Sequence, residues 1–496
     1  MYMGLDLGTS GIKAVLLSTT GQLVAQTTVS LPISHPKPLW SEQDPGEWWH
    51  ACVKAVGLLR HSSADLSGVE AIGLSGQMHG ATLVDVDGQP LRPCILWNDG
   101  RSYAQCAELE KRLSDFRTLS GNLAMPGFTA PKLLWVAREE PERFSRIHKV
   151  LLPKDYVRFR LTGEFATDLS DAAGTLWLNP AERAWSKRLI EACDLGIEHM
   201  PALFEGNEVT GVLSPAAAAE LNMPRVPVVA GAGDNAAGAV GMGITEQGQA
   251  FLSLGTSGVY FAVSDRHQAN PNRTVHAFCH CLPNRWNQMS VALSAASCLA
   301  WLADVTNTPA GDLLSELDAR NETSTDVTFL PYLSGERTPH NDPHARGVFF
   351  GIGADTRRTD LTLAVLEGVA YAFADGQDAL EAAGTNIDEV TLIGGGARSR
   401  RWRQLLADVL GRPLTFRDGG EVGPGLGAAR LAQLGVTGAF SQERLSAICP
   451  QPAELDRHEP NERCRDYHQS QRYRYRRLYE LTHELTRPDV AASSPS

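Results

Sequence analysis

The sequence predicts an α/β protein made of two related halves, and three observations carry that reading. The string Leu-Gly-Thr-Ser-Gly stands at residues 7–11 and again at residues 254–258 of a 496-residue chain. Each copy lies between short apolar, partly β-branched runs, the pattern of strand, glycine turn and returning strand. Around both copies strand runs alternate with helical stretches, which implies sheets covered by helices.

The first hairpin is expected over residues 3–15 and the second over residues 250–262. A helix begins near Pro45 and carries Trp48 and Trp49, and Gly68–Leu74 then reads as a strand. Val226–Ala232 is an apolar strand run that leads into Gly-rich sequence and a small-residue helix. Thr245-Glu246-Gln247-Gly248 reads as a linker. Beyond the second hairpin, Asp388–Gly394 reads as a strand, and Arg401–Leu410 and Gly425–Leu434 as helices. Domains of residues 1–245 and 246–484 are therefore expected, with a disordered tail over 485–496.

Composition narrows the function. Lys+Arg number 45 and Asp+Glu 57, a net charge of −12, so the surface repels phosphate backbones and nucleic acid is not an expected partner. An apolar share of 43% supports more than one core. The nine cysteines are odd in number and thinly spread, which points to reduced thiols and a cytoplasmic protein. No basic n-region precedes the first strand, and Val226–Ile244 is broken by Asp234-Asn235, so neither a signal peptide nor a membrane span is expected.

Three glycine-rich turns suit phosphate or nucleotide. Gly8, Thr9 and Ser10 offer bare backbone N–H groups and two hydroxyls, and Lys13 on the returning strand adds a charge. Asp6, on the strand before that turn, can hold Mg²⁺ directly or through water. The second hairpin keeps Gly255, Thr256 and Ser257 but has Ser253 in the place of Asp6. A third cluster, Gly395-Gly396-Ala397 after the strand at 390–393, lets a base or ribose approach closely. The matching alternative for each is an ordinary tight turn.

Asp234, in a Gly- and Ala-rich strand-to-helix junction, fits either a helix N-cap or a general base that takes a proton from a hydroxyl. Two polar strings suit a sugar: Met78 and His79 within Gly76–Gly80, and Trp97-Asn98-Asp99. The group His276, Cys279, His280, Cys281 lacks a second spaced pair, so zinc is not expected. Arg472–Arg477, with Tyr473 and Tyr475, reads as a solvated helix face rather than an RNA site.

Together these strings resemble the FGGY carbohydrate kinases. One family signature is matched at 127–136, GFTAPKLLWV, and another from GVFFGI at 347–352 through Asp360-Leu361 to AVLE at 364–367. GQMHGA, LWNDGR, LPKDY, SDAAGT, AGDNAAGA, LPYLSGERTPH and IGGGARS are similar to members that act on D-xylulose. The resemblance runs from residue 2 to about residue 435. It implies two RNase H-like (actin-like) domains around a catalytic cleft, with ATP and Mg²⁺ as cofactors and a sugar, D-xylulose, as substrate. It further implies Asp234 as proton acceptor, Asp6 as the metal-linked acid, and Met78 and His79 as a substrate-binding pair. Thr256, Gly395 and Gly396 fall where the nucleotide lies, and a homodimer is left open. A kinase for another ketose or polyol, an actin- or Hsp70-like nucleotide switch, and a silent sugar sensor are the competing readings.

Overall fold

The computed structural model describes residues 1–61, 65–320, 323–418 and 423–487. In the first half the labelled strands are β1 (Tyr2–Leu7), β2 (Gly11–Leu17), β3 (Leu23–Ser30), β4 (Ala71–Gly76), β5 (Val209–Val212), β6 (Pro227–Val229) and β7 (Ala232–Gly233). They form one sheet in the order β5-β6-β4-β1-β2-β3, with β7 also paired to β4. The helices that bear on the site are α1 (Pro45–His61), α2 (Thr129–Glu139), α3 (Pro153–Thr162), α4 (Leu169–Ala173) and α5 (Asp234–Gly241).

The second half contributes β8 (Gly248–Leu254), β9 (Gly258–Ser264), β10 (His276–Cys279), β11 (Trp286–Ala292), β12 (Ile387–Ile393), β13 (Leu414–Arg417) and β14 (Glu454–His458). Their order is β10-β11-β9-β8-β12-β13-β14. Its helices include α6 (Ala296–Val305), α7 (Ala310–Arg320), α8 (Arg358–Ala382), α9 (Arg400–Leu410), α10 (Gly423–Val436) and α11 (Arg465–Thr482).

The repeated pentapeptide marks a repeated supersecondary unit. β1 runs antiparallel to β2 and β2 to β3, while β1 is parallel to β4. In the same way β8 is antiparallel to β9 and β9 to β11, while β8 is parallel to β12. Trp48, Trp49, Cys52, Val56 and Leu59 lie on one buried stripe of α1 at helical spacing, which explains why that segment folds as a helix against β2 and β3.

Several expected boundaries shift for local reasons. Leu66–Gly68 is a 3₁₀ turn and the strand starts at Ala71. The run at 226–232 divides into β6 and β7, because the chain turns at Gly231 in a left-handed conformation. No helix among the described residues is long and apolar enough to cross a membrane. His483–Thr486 is a 3₁₀ turn, so the expected tail over 485–496 begins in ordered chain, and 488–496 lie outside the described residues.

The packing does not divide at residue 246. Helix α10, from the second half of the sequence, lies on β1, β2 and β4 of the first sheet and against α5. Close approach makes this possible: a Cβ at Gly427 would stand 1.8 Å from the Ala237 carbonyl oxygen. Gly427→Ala must therefore push α5 and α10 apart. It is expected to cost about 1–3 kcal/mol, read as a lowered Tm in thermal denaturation.

The run Arg472–Arg477 is the solvated face expected of it only in part: Tyr473, Arg476 and Arg477 are exposed, while Tyr475 is buried. Arg472 and Arg476 reach Asp375 on α8 at 2.8 and 2.6 Å, and the Tyr475 hydroxyl lies 2.6 Å from that of buried Tyr332. Unpaired acids on α8 draw the basic helix down onto the second half, so α11 is a packing helix.

Candidate active site

The carboxyl ends of parallel strands place the candidate acids together. Ser75 on β4 pairs with Asp6 of β1 on one side and with Ala232 of β7 on the other. Asp234 follows β7 at the first turn of α5, so both carboxylates stand at one edge of the sheet. Ligands in open α/β sheets bind at such strand ends.

Asp234 is not the N-cap of α5. Gly233 occupies that position, and Asp234 Oδ1 instead accepts from the Asn235 amide at 2.7 Å and from Asn235 Nδ2 at 2.9 Å. Its second oxygen takes no hydrogen bond among the described residues. Burial, then the neighbouring Asp6 charge, push the Asp234 carboxyl up to about 7, against the weaker pull of the two Asn235 contacts. A carboxylate so poised can accept a hydroxyl proton near neutral pH.

Asp6 is also raised, chiefly by burial, while a hydrogen bond with Ser75 and the Lys13 charge across the β1–β2 ladder lower it. A hard carboxylate oxygen beside a second, electrostatically coupled carboxylate is a donor set that fits Mg²⁺. Thr9 in the adjoining turn accepts from Trp97 Nε1 at 2.9 Å and donates to Gln77 Oε1 at 3.1 Å. Gln77 continues through Gln43 to Trp48, so the first phosphate-type turn is anchored to α1. Gly8, Ser10 and Lys13 belong to the same hairpin.

Asp234 borders a cavity of about 290 Å³ that Met78, His79 and Trp97 also line. His79 has φ 68° and its Nδ1 lies 2.8 Å from the Gly174 carbonyl oxygen. That carbonyl can only accept, so Nδ1 carries the hydrogen and Nε2 remains an acceptor. Burial, with the Lys132 charge, brings His79 down to about 3, so it is neutral at physiological pH. Lys132 Nζ donates to the carbonyls of His79 at 2.8 Å and Gly127 at 2.6 Å, pinning the loop in its left-handed turn.

Two residues of the sugar string stand elsewhere. Asn98 is exposed on a separate shallow depression beside Lys37–Ser41. Asp99 is buried and accepts from the Ser41 amide at 2.6 Å and from Arg101 Nη2 at 2.7 Å. Trp97 turns toward the cavity, so its neighbours turn away. Asp99 is fully engaged as a clamp on Arg101, whose guanidinium lies 3.6 Å over the Trp40 ring.

A second cavity of about 940 Å³, large enough for a nucleotide, opens between α6, α7 and α9. Gly395 and Gly396 line it. A Cβ at Gly394 would meet the Leu254 carbonyl carbon at 2.7 Å, so the glycine turn runs directly beneath the second hairpin. Gly255 and Thr256 turn their carbonyls to the α6 amides, while Ser257 lines the smaller cavity. Ala397 does not face the second cavity. Its side chain is buried in the core and its carbonyl accepts from Arg403 at 2.8 Å.

Sequence reasoning assigned no role to Phe128, His276 or Arg337, all of which line the smaller cavity. It also missed a fully buried charge cluster behind Asp234. Lys154 Nζ lies 2.6, 2.8 and 3.4 Å from carboxylates of Asp155, Asp168 and Asp171, and Arg158 pairs with Asp155 at 3.2 Å. Asp168 accepts from Ser170, whose hydroxyl oxygen in turn accepts from the Gly233 amide at 3.2 Å. The strings LPKDY and SDAAGT hold Lys154, Asp155 and Asp171 of this cluster, yet nothing in their composition separates them from surface polar sequence. Lys154→Met would strand three buried acids on one arginine. It is expected to cost about 3–5 kcal/mol, lowering Tm by roughly 10 °C in thermal denaturation.

The description "FGGY family of carbohydrate kinases, N-terminal domain" matches residues 1–241, and that of the C-terminal domain matches residues 250–435. The chain belongs to the FGGY family of carbohydrate kinases. Among FGGY relatives it is 55% identical to the xylulose kinase of Escherichia coli (strain K12) over 97% of this chain and 99% of that one. It is 53% identical to the xylulose kinase of Klebsiella pneumoniae, over 97% and 98% of the two chains. A structure described as a xyloylose kinase from Brucella ovis superposes with a TM-score of 0.93 at 48% identity, covering 98% of this chain and 99% of that one.

Proposed function

We propose that this carbohydrate kinase transfers the γ-phosphate of ATP to the terminal O5 hydroxyl of D-xylulose. One observation carries the reading. Asp234 has a carboxylate oxygen without a hydrogen-bond partner among the described residues, at the junction between the phosphate-type hairpin and a cavity of about 290 Å³. The substrate comes from the relatives, which are xylulose kinases over nearly their whole length.

In this reading Asp234 accepts the O5 proton as the oxygen attacks phosphorus in line. His79, neutral and fixed by Gly174, accepts a hydrogen bond from a sugar hydroxyl through Nε2, and Met78 and Trp97 pack on the carbon chain. The turns at Gly8–Ser10 and Gly255–Ser257 converge on the polyphosphate, and Gly395 and Gly396 floor the adenosine. Asp6 would hold Mg²⁺, which when bound neutralises phosphate charge.

A coupled ADP-release assay with D-xylulose, D-ribulose, L-ribulose and glycerol tests the assignment. D-xylulose should give the highest kcat/KM. A higher value for glycerol or L-ribulose would replace the substrate while leaving the kinase in place.

A further inference from the structure

The lining of the smaller cavity also includes a cation that has no ion-pair partner among the described residues. Arg337 reaches the cavity from the second half of the chain. Its backbone is pinned: the amide donates to Glu336 Oε1 at 2.7 Å and the carbonyl accepts from Thr274 at 3.1 Å. Among the described residues its guanidinium has no hydrogen bond or salt bridge. Glu336, the nearest acid, accepts instead from the amides of Leu293 and Arg337. Burial holds the guanidinium below its ordinary range, against the opposing pull of the Glu336 charge. The side chain is half-buried, and a donor fork left open toward a cavity can complete its hydrogen bonds on a ligand there.

Position separates two uses for this cation. The Arg337 carbonyl accepts from Thr274, two residues before His276, whose ring lies 5.4 Å from that of Phe128, itself 4.6 Å from the His79 ring, whereas Asp234 shares its strand ends with Asp6 and the phosphate-type turn. Arg337 therefore stands with the histidines, at the end of the sugar remote from the transferred phosphoryl group.

Sugar chemistry says what lies there. In the furanose form of D-xylulose, O5 is the ring oxygen and carries no proton. Only the open chain presents an O5 hydroxyl, and it also exposes the C2 carbonyl toward the other end. We infer that Arg337 is a specificity-determining residue whose guanidinium binds the C2 carbonyl oxygen of the open-chain ketose. A carbonyl oxygen only accepts and a guanidinium only donates, so the pair is complementary. An alditol puts a hydroxyl at C2, whose own proton meets a cation and the Phe128 ring. The inference rests on the ketopentose reading above.

The test compares kcat/KM for D-xylulose with that for its C2-reduced alditols, xylitol and D-arabitol, in the wild type, Arg337→Met and Arg337→Lys. Arg337→Met should lower the ketose-to-alditol ratio about 10–100-fold, the worth of one hydrogen bond from a charged donor, mostly through KM for D-xylulose. Arg337→Lys keeps a donor and should retain part of the ratio; it also covers the case in which the methionine variant does not fold. An equal fall for ketose and alditols would overturn the inference, since a phosphoryl clamp or a purely structural role acts on both alike. An unchanged value for D-xylulose would overturn it too. A wild type that does not turn over D-xylulose defeats the substrate reading instead, and Arg337 is then tested with whichever ketose is turned over, against its own alditol.

Discussion

Asp234→Asn is expected to lower turnover by about 10²–10⁴-fold, the contribution of a positioned general base, with nucleotide binding nearly intact. Asn keeps the size of the side chain and an oxygen for the Asn235 amide, which Asp234 Oδ1 engages at 2.7 Å. What it removes is the basic oxygen that faces the cavity. The pH profile carries the same information. Because burial and Asp6 raise this carboxyl to about 7, kcat/KM for the wild type should climb as pH rises through about 7 and level off above it. That acid limb should vanish from the residual activity of Asp234→Asn.

Stability offers a second, independent readout. A carboxyl whose folded-state pKa lies above its unfolded value favours the fold while protonated. That advantage is lost as pH rises from about 4 to about 7. The ionised form then costs up to about 4 kcal/mol, so Asp234→Asn should be more heat-stable than the wild type at pH 8. An N-cap role would leave the two nearly level, because Asn caps a helix about as well as Asp. Full activity in Asp234→Asn, or a Tm below wild type at pH 8, would remove the residue from the mechanism.

How much of this was legible in the sequence depended on whether the chemistry lay in one string. Asp6 with Gly8–Ser10, and Asp234 among glycines, each announce themselves because a turn that admits a ligand needs small residues beside its acid. Phe128, His276 and Arg337 lie far apart in the chain and meet only in the lining of the smaller cavity, so no local pattern joins them. Reading contiguous residues as one surface failed for Asn98 and Asp99, since neighbours of Trp97 point to other sides of the chain. Lys154, Asp155, Asp168 and Asp171 look like solvated polar residues, yet they are wholly buried, because each compensates another. The same compensation hid the packing face of α11. Opposite charges that meet at a distance in sequence are invisible to composition.

Asp6→Asn is expected to be as severe as loss of the base but to differ in kind. Its carboxylate lies across the ladder from Lys13 and beside Ser75, at the entrance to the turn proposed for the phosphates. Asparagine preserves shape and most hydrogen bonding while removing the charge that would hold Mg²⁺. Turnover should fall by about 10²–10³-fold, the scale of one preorganised electrostatic contact at a centre of developing charge. Nucleotide affinity measured with Mg²⁺ should fall toward the value measured without it. A further consequence follows from the coupling of the two acids. Asp6 is one cause of the raised Asp234 carboxyl, so its neutralisation should shift the acid limb of the residual activity to lower pH. Asp234→Asn abolishes that limb, whereas Asp6→Asn should displace it. An Asp6→Asn enzyme whose limb stays near pH 7 and whose nucleotide binding keeps its full Mg²⁺ dependence would show that Asp6 neither holds the metal nor tunes the base.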